Sequence, residues 1–255
     1  MNNISPLAYI HPNAKIGDSN NIGPFCVIEA DVEIGDNNTL KSHVILNDGC
    51  RLGSNNEIFP GASLSTKPQD LKYRDEKTLC IIGDSNSIRE NVTISRGTAS
   101  KGKTVVGNGN LFMEDVHIAH DCFVGNHCII GNSSKIAGEI TIEDHAILSA
   151  CVLAHQFTNI GSYVMIQGGS KLPMDIPPFI TVGKEPTRYC GINLIGLRRH
   201  NFSNESIELI HEAYRILYSK GLRSEAIEQI KALGDNENLN YIIRFVENSK
   251  RGILR

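Results

Sequence analysis

The sequence has no surplus of basic residues: 25 Lys and Arg stand against 28 Asp and Glu, for a formal net charge of −3. A nucleic-acid protein needs cations to neutralise phosphates, so this balance argues against that class. No apolar run approaches the ~18 residues of a membrane-spanning helix, and no stable membrane insertion is expected. The N-terminus, Met1-Asn2-Asn3, has neither a basic n-region nor an apolar h-region. The expected compartment is therefore the cytoplasm. The seven cysteines are odd in number and include no Cys-x-x-Cys, which argues against a disulfide framework or a zinc knuckle.

What the chain does have is a period of six. An apolar residue returns without a gap at Val106, Phe112, Ile118, Val124, Ile130, Ile136, Ile142, Leu148, Ala154, Ile160, Ile166 and Leu172. This fits neither an amphipathic helix nor an alternating strand. It fits a hexapeptide β-helix, an all-β solenoid in which one residue per hexad points into a continuous core. The most similar hexads open eighteen residues apart, at Val106, Val124, Ile142 and Ile160, so three hexads make one coil with three flat faces. Stacked strands lie ~4.8 Å apart, which turns residues eighteen apart into neighbours in a column. One column reads His120, Gly138, Gln156; the next reads Ala119, Ala137, His155.

An earlier block runs from Ile10 to Leu64 in the same rhythm. Its corners carry Asp18-Ser19-Asn20-Asn21, Asp36-Asn37-Asn38 and Ser54-Asn55-Asn56, and Asn tolerates the positive φ that sharp corners need. Cys26, Cys50, Cys122 and Cys128 occupy the fifth hexad position, as do Val32, Val44, Ala62 and Val92. They are read as small interior apolar residues. Handedness does not follow from spacing, and the general rule for parallel crossovers is right-handed.

The rhythm breaks twice, between Leu52 and Ile82 and between Ile82 and Val106, so two loops protrude at about 65–80 and 96–104. The first contains Gln69-Asp70-Leu71-Lys72-Tyr73. Loops on a rigid scaffold often carry function, though a solvated bulge is the plainer reading. The expected organisation is a repeat domain over 1–188 and an α-helical C-terminal domain over 189–255. Within the latter, Ile207, Ile210, Tyr214 and Leu217 have helical spacing, with Ser203 as N-cap and Gly221 beyond the end. Ile227, Ile230 and Leu233, closed by Gly234, suggest a second helix; Leu239, Ile242, Ile243 and Val246 suggest a third. A helical cap covers the open end of a solenoid.

Of nine histidines, His117 and His120 are placed on one strand beside Asp121, with His155 nearly above His120 two coils on. Stacking of this kind gathers three imidazoles within ~10 Å, although polar decoration of a flat face gives the same spacing. Gly138, one coil above His120, leaves its N–H approachable; equally, it could be a corner needing φ > 0.

The segments His117-Ile118-Ala119-His120-Asp121, Ala137-Gly138, His155-Gln156-Phe157, Gln69 to Tyr73, Ile88-Arg89-Glu90-Asn91-Val92-Thr93-Ile94, Gly191-Ile192-Asn193 and Gly196-Leu197-Arg198-Arg199 together resemble the UDP-N-acetylglucosamine O-acyltransferases of lipid A biosynthesis. The resemblance spans essentially the whole chain. It implies a left-handed parallel β-helix, a homotrimer with sites between subunits, and transfer of a long 3-hydroxyacyl group from acyl carrier protein to the 3-position of UDP-N-acetylglucosamine. It implies no metal and no cofactor beyond the acyl-carrier thioester as co-substrate. His120 becomes the general base, since an imidazole with a pKa near ~6.5 suits proton removal from a sugar hydroxyl. Asp121 orients it and Gly138 supplies an oxyanion donor. Adjacent strand residues point to opposite faces, so the Asp121 contact requires local bending or another subunit. By the same resemblance Asp70 and Lys72 reach the sugar and nucleotide across a subunit boundary. His117, His155 and Gln156 line the sugar and diphosphate region, Asn193 and Arg199 hold the nucleotide, and Gly168 limits the acyl pocket.

Three positions depart from the family pattern: Glu139 replaces a His, Ile195 an acid, and His200 the second Arg of a basic pair. Rival readings are a CoA-dependent acetyltransferase, an N-acyltransferase or a 3-amino acceptor, a zinc-dependent carbonic anhydrase-like protein, and a purely structural solenoid. The first leaves the Gln69 to Tyr73 loop unexplained, and the N-acyltransferase has an extra N-terminal domain. The carbonic anhydrase class uses a His pair five apart, which no two of the nine provide. A structural solenoid would show a surface ladder of one residue type, whereas these faces are irregular.

Overall fold

The computed structural model describes residues 1–219 and 221–255. Among these residues, strands of mostly two residues stack into three sheets of eleven, nine and eight strands, parallel except for the last strand of the largest. Neighbouring strands are one coil apart, as in the pairs Asn3 with Asn21, Tyr9 with Val27 and Lys15 with Glu33. The hexad-opening residues from Ile22 onward and the fifth-position residues, including Cys26, Cys50, Cys122 and Cys128, are buried in one core. Two inward residues per hexad thus hold three sheets together.

The solenoid is left-handed. The right-handed rule for parallel crossovers depends on a twisted strand feeding a helix that packs back on the sheet. Here two-residue strands feed four-residue corners, so that constraint is missing. Most corners instead turn on a residue with left-handed φ, such as Phe25 (60°), Asn37 (57°), Asp121 (59°) and His127 (55°). Asn37 and Asn55 serve in this way, as expected of corner asparagines. Asn20, Asn38, Asn56, Asn86 and Asn110 do something else. Their buried amides form a ladder, each Nδ2 from Asn38 onward donating to the Oδ1 one coil below at 3.0–3.1 Å. The ladder satisfies polar groups that an apolar corner would leave unpaired.

Leu52 pairs with Ile82 and Ile82 with Val106, so both breaks in the period are insertions into an unbroken stack. The repeat ends at Lys171–Leu172; Ile180–Gly183 adds one more parallel strand, and Arg188–Ile192 turns back antiparallel on it. Among the described residues four helices follow: α1 (Leu194–Arg199), α2 (Asn204–Leu217), α3 (Arg223–Lys231) and α4 (Glu237–Asn248). Ser203 caps α2 by accepting from the Ser206 N–H. The cap is bolted to the solenoid by tyrosine hydroxyls. Tyr214 donates to the Pro178 carbonyl at 2.5 Å, and Tyr241 accepts from the Ser162 N–H at 2.8 Å while donating to the Glu143 carboxylate.

Candidate active site

His117 lies on the strand His117–Ile118 of the nine-stranded sheet, but His120 and Asp121 do not share it. They form the corner that leads to Phe123–Val124 of the eight-stranded sheet. That placement corrects the expectation of one strand and resolves the geometry of the pair. Left-handed φ at Asp121 swings its side chain back, so that Oδ2 accepts from His120 Nδ1 at 2.8 Å within the same chain. Neither bending of a strand nor a second subunit is required. A carboxylate only accepts, so the proton sits on Nδ1 and the Nε2 lone pair is free.

His120 is 7 % and Asp121 1 % exposed, so the pair is almost fully desolvated. Asp121 is compensated by the second inserted loop. Its Oδ1 accepts from the N–H groups of Thr98 (2.9 Å) and Lys101 (3.2 Å), and its Oδ2 accepts from the Thr98 hydroxyl (2.6 Å). On the other side of the ring, Asp70 Oδ2 stands 3.7 Å from Nε2. The first loop therefore meets the imidazole of its own chain. Lys72 is exposed, and its N–H is bound by the Asp70 carboxylate at 2.8 Å.

Gly138 sits directly above the ring. A Cβ there would lie 2.6 Å from His120 Cε1 and 2.7 Å from Nε2. The positive-φ residue of this corner is Glu139, at 61°. Gly138 is thus explained by close approach to the imidazole, and the corner-φ alternative falls. Its N–H finds no acceptor among the described residues.

A cavity of about 440 Å³ opens here, lined by Gln69, His117, His120, Lys135, Gly138 and Gln156 among others. His117 shares a 2.7 Å hydrogen bond with the Thr93 hydroxyl; burial, with Lys135 and His120 nearby, holds its pKa below the ordinary value. His155 is exposed and lines a neighbouring cavity of about 480 Å³ with Leu172 and Pro173, whose shared wall is Ala137, Leu153, Ala154 and Gln156. Two imidazoles thus occupy the first cavity and the third the second.

The remaining candidates stand elsewhere. Asn193 caps α1 by accepting from the Gly196 N–H at 3.1 Å and donates to the Tyr163 carbonyl at 2.9 Å. Tyr163 turns the corner between the eight- and eleven-stranded sheets, a different edge of the prism from His120. Arg199 is exposed on the same helix. Gly168 is exposed on the third edge, between the eleven- and nine-stranded sheets. One chain does not bring these three to the His120 cavity. Among the described residues, no group of three or more His, Cys, Asp or Glu is arranged to hold a metal ion, and no helix is long and apolar enough to cross a membrane.

Comparison with known proteins agrees with this architecture. A family model described as UDP-N-acetylglucosamine O-acyltransferase, domain 2, matches residues 175–254, and one described as bacterial transferase hexapeptide (six repeats) matches 13–48. The acyl-[acyl-carrier-protein]–UDP-N-acetylglucosamine O-acyltransferase of Myxococcus xanthus is 46 % identical over the full length of both chains. The chain belongs to the UDP-N-acetylglucosamine O-acyltransferase family. Solved structures of UDP-N-acetylglucosamine acyltransferases say the same. That from Bacteroides fragilis is 55 % identical with a TM-score of 0.96, covering 99 % of this chain and 100 % of its own. That from Francisella novicida is 43 % identical with a TM-score of 0.96, covering 99 % and 94 %.

Even with the family in hand, sequence reasoning missed Thr93, which holds His117, and Thr98, Lys101 and Thr104, which hold Asp121. One signal existed. Thr104 stands between two apolar neighbours, Cys80 and Cys122, in an interior column, where a buried hydroxyl requires a partner.

Proposed function

We propose that this chain is an acyl-[acyl carrier protein]:UDP-N-acetylglucosamine 3-O-acyltransferase, which carries out the first step of lipid A biosynthesis with a long 3-hydroxyacyl donor. The observation that carries the mechanism is the state of His120: Nδ1 held by Asp121, Nε2 free, in a cavity whose wall is shared with a more apolar one. The names of the curated relatives support oxygen as the acceptor and acyl carrier protein as the donor.

In the proposed reaction the sugar 3-hydroxyl gives its proton to His120 Nε2 as its oxygen attacks the thioester carbonyl. The Gly138 N–H stabilises the resulting oxyanion, a contribution of ~3 kcal/mol for one well-placed donor. Collapse expels the carrier thiolate, which takes the proton back from the imidazolium. No resident cofactor enters. Asp70 faces Nε2 across 3.7 Å and would accept from a neighbouring sugar hydroxyl. Lys72, His117, His155 and Gln156 serve the sugar and diphosphate. The acyl chain crosses the nine-stranded sheet over Leu153, which is 46 % exposed, towards Gly168 on the far edge.

Asn193 and Arg199 stand on another edge, so they serve the nucleotide only if a second subunit presents them. This supports a homotrimer with shared sites. The exposed Leu7, Tyr9, Phe25 and Ile45 give the nine-stranded sheet and its flanking corner an apolar surface suited to burial in such an interface. The proposed compartment is the cytoplasm, where acyl carrier protein and the nucleotide sugar meet.

His120→Ala should lower turnover by ~100-fold or more with UDP-sugar binding largely intact. Mass-spectrometric turnover with UDP-N-acetylglucosamine, its 3-amino analogue and a ladder of acyl-carrier thioesters reads both the base and the acceptor; near-normal turnover of the variant sinks the assignment. Light scattering showing an active monomer at assay concentration would refute the shared site.

A further inference from the structure

At regular corners of this solenoid, the residue with left-handed φ donates its N–H to a backbone carbonyl of the preceding coil. Glu139 donates to the His120 carbonyl, Phe157 to that of Gly138, and His127 to that of Asn108. Asp121 cannot do so, because the coil beneath it is interrupted by the loop that follows Ser95. A side chain takes the carbonyl's place: the Asp121 N–H donates to Thr104 Oγ1 at 2.8 Å. The loop then folds over the carboxylate and supplies the three donors already described.

Thr98 is the centre of that arrangement. Its hydroxyl accepts from the Ser100 N–H at 3.2 Å, which leaves its own hydrogen directed at Asp121 Oδ2. That same oxygen accepts from His120 Nδ1. Thr98 is buried, and the loop that carries it is tied to the first loop: Ala99 N–H donates to Glu76 Oε1 at 3.0 Å, and the Thr78 hydroxyl to the Gly97 carbonyl at 2.6 Å. The two insertions therefore form one latched unit that bears on both sides of the imidazole, at Nδ1 through the corner residue Asp121 and at Nε2 by its own Asp70.

We infer that Thr98 is a positioning residue of the reaction: its hydroxyl fixes the rotation of the Asp121 carboxylate, and through it the orientation and tautomer of His120. The inference rests on His120 being the base. Without this donor Oδ2 keeps the imidazole as its one partner, and the carboxylate is held otherwise only by the two N–H bonds at Oδ1. Its terminal torsion is then fixed less tightly, and the ring loses part of the alignment on which proton transfer depends.

The test is steady-state kinetics of the full-length enzyme with acyl-carrier thioester and UDP-N-acetylglucosamine, together with thermal melting. Thr98→Val keeps the shape and removes the hydroxyl; kcat should fall by roughly tenfold while KM for the nucleotide sugar stays within about twofold. Thr98→Ser, which restores the donor, should return kcat to within about twofold of the parent. If the valine variant does not fold, Thr98→Ala takes its place against the serine variant. An unchanged kcat, a loss confined to KM, or equal impairment of the valine and serine variants overturns the inference. His120→Ala is run beside them. If it retains turnover, the base assignment falls and this inference with it; if it is inactive while Thr98→Val is unchanged, this inference alone falls.

Discussion

Gly138→Ala separates close approach to the ring from the proposed role as oxyanion donor. Alanine keeps the backbone N–H, so the proposed donor survives. It also adds a Cβ at 2.6 Å from Cε1 and 2.7 Å from Nε2 of His120. Ordinary contact begins near 3.4 Å, so ring and methyl must separate by roughly 0.8 Å or more. The ring cannot yield freely, because retreat breaks a hydrogen bond to a carboxylate worth ~1.5–3 kcal/mol. Because Gly138 does not have left-handed φ, the backbone accepts alanine without strain. The cost therefore falls on alignment, where ~1 Å of misplacement is worth about 100-fold in rate. The expected variant is folded, binds UDP-N-acetylglucosamine by calorimetry with near-parent affinity, and turns over roughly 100-fold more slowly. Near-parent kcat in a folded variant would refute the close-approach explanation of this glycine. A collapse of melting temperature would show that the methyl is relieved by the coil and not by the ring.

Gly168→Met should shift preference towards shorter acyl donors with activity on them retained, since each buried methylene lost is worth ~0.8 kcal/mol. Its Cβ would meet the Ala150 carbonyl at 3.1 Å, a small adjustment on an exposed corner, and an unchanged chain-length ranking across a thioester ladder would remove Gly168 from the pocket. Glu143 is held above its ordinary carboxyl pKa by burial and by Asp144, against hydrogen bonds from Ser162 and the charge of Arg244. A raised folded-state pKa favours the protonated form, so its stabilising contribution is present below 4.5 and is lost as pH rises through the folded value. Glu143→Gln keeps an acceptor for Tyr241 and cannot ionise; it should raise Tm by about 2 °C at pH 8 and by nothing at pH 4, read by thermal melting at the two pH values.

The solenoid was legible because its period is a geometric necessity. A flat face allows one hexad, a coil takes three, and each hexad must return an apolar residue to the core whatever else it carries. The loops were legible as lengths, since Leu52, Ile82 and Val106 are out of phase by more than a coil while remaining in register. Their contacts were not, because the Thr98 to Asp121 and Glu76 to Ala99 bonds join segments whose relative path no local pattern fixes. Helices α2 and α4 announced themselves by long amphipathic spacing. The six residues of α1 bury only Leu197, too little for a period, and its start depends on the Asn193 side chain.

The dyad shows where repeat logic stops and chemistry begins. Alternation along a strand forbids consecutive residues from facing one another, and from it the His120 and Asp121 pair looked unlinked. A corner removes that prohibition, because one left-handed residue turns the chain back on itself. The same corner leaves room above the ring only for a glycine, and its missing coil below admits a loop whose amides and hydroxyl neutralise a buried carboxylate. A base on a flat strand would have neither the carboxylate behind it nor the bare N–H above it. The candidate site therefore belongs on the edge where the two insertions open the stack, and on the proposed reading the second insertion is as much a part of it as the histidine that it holds through Asp121.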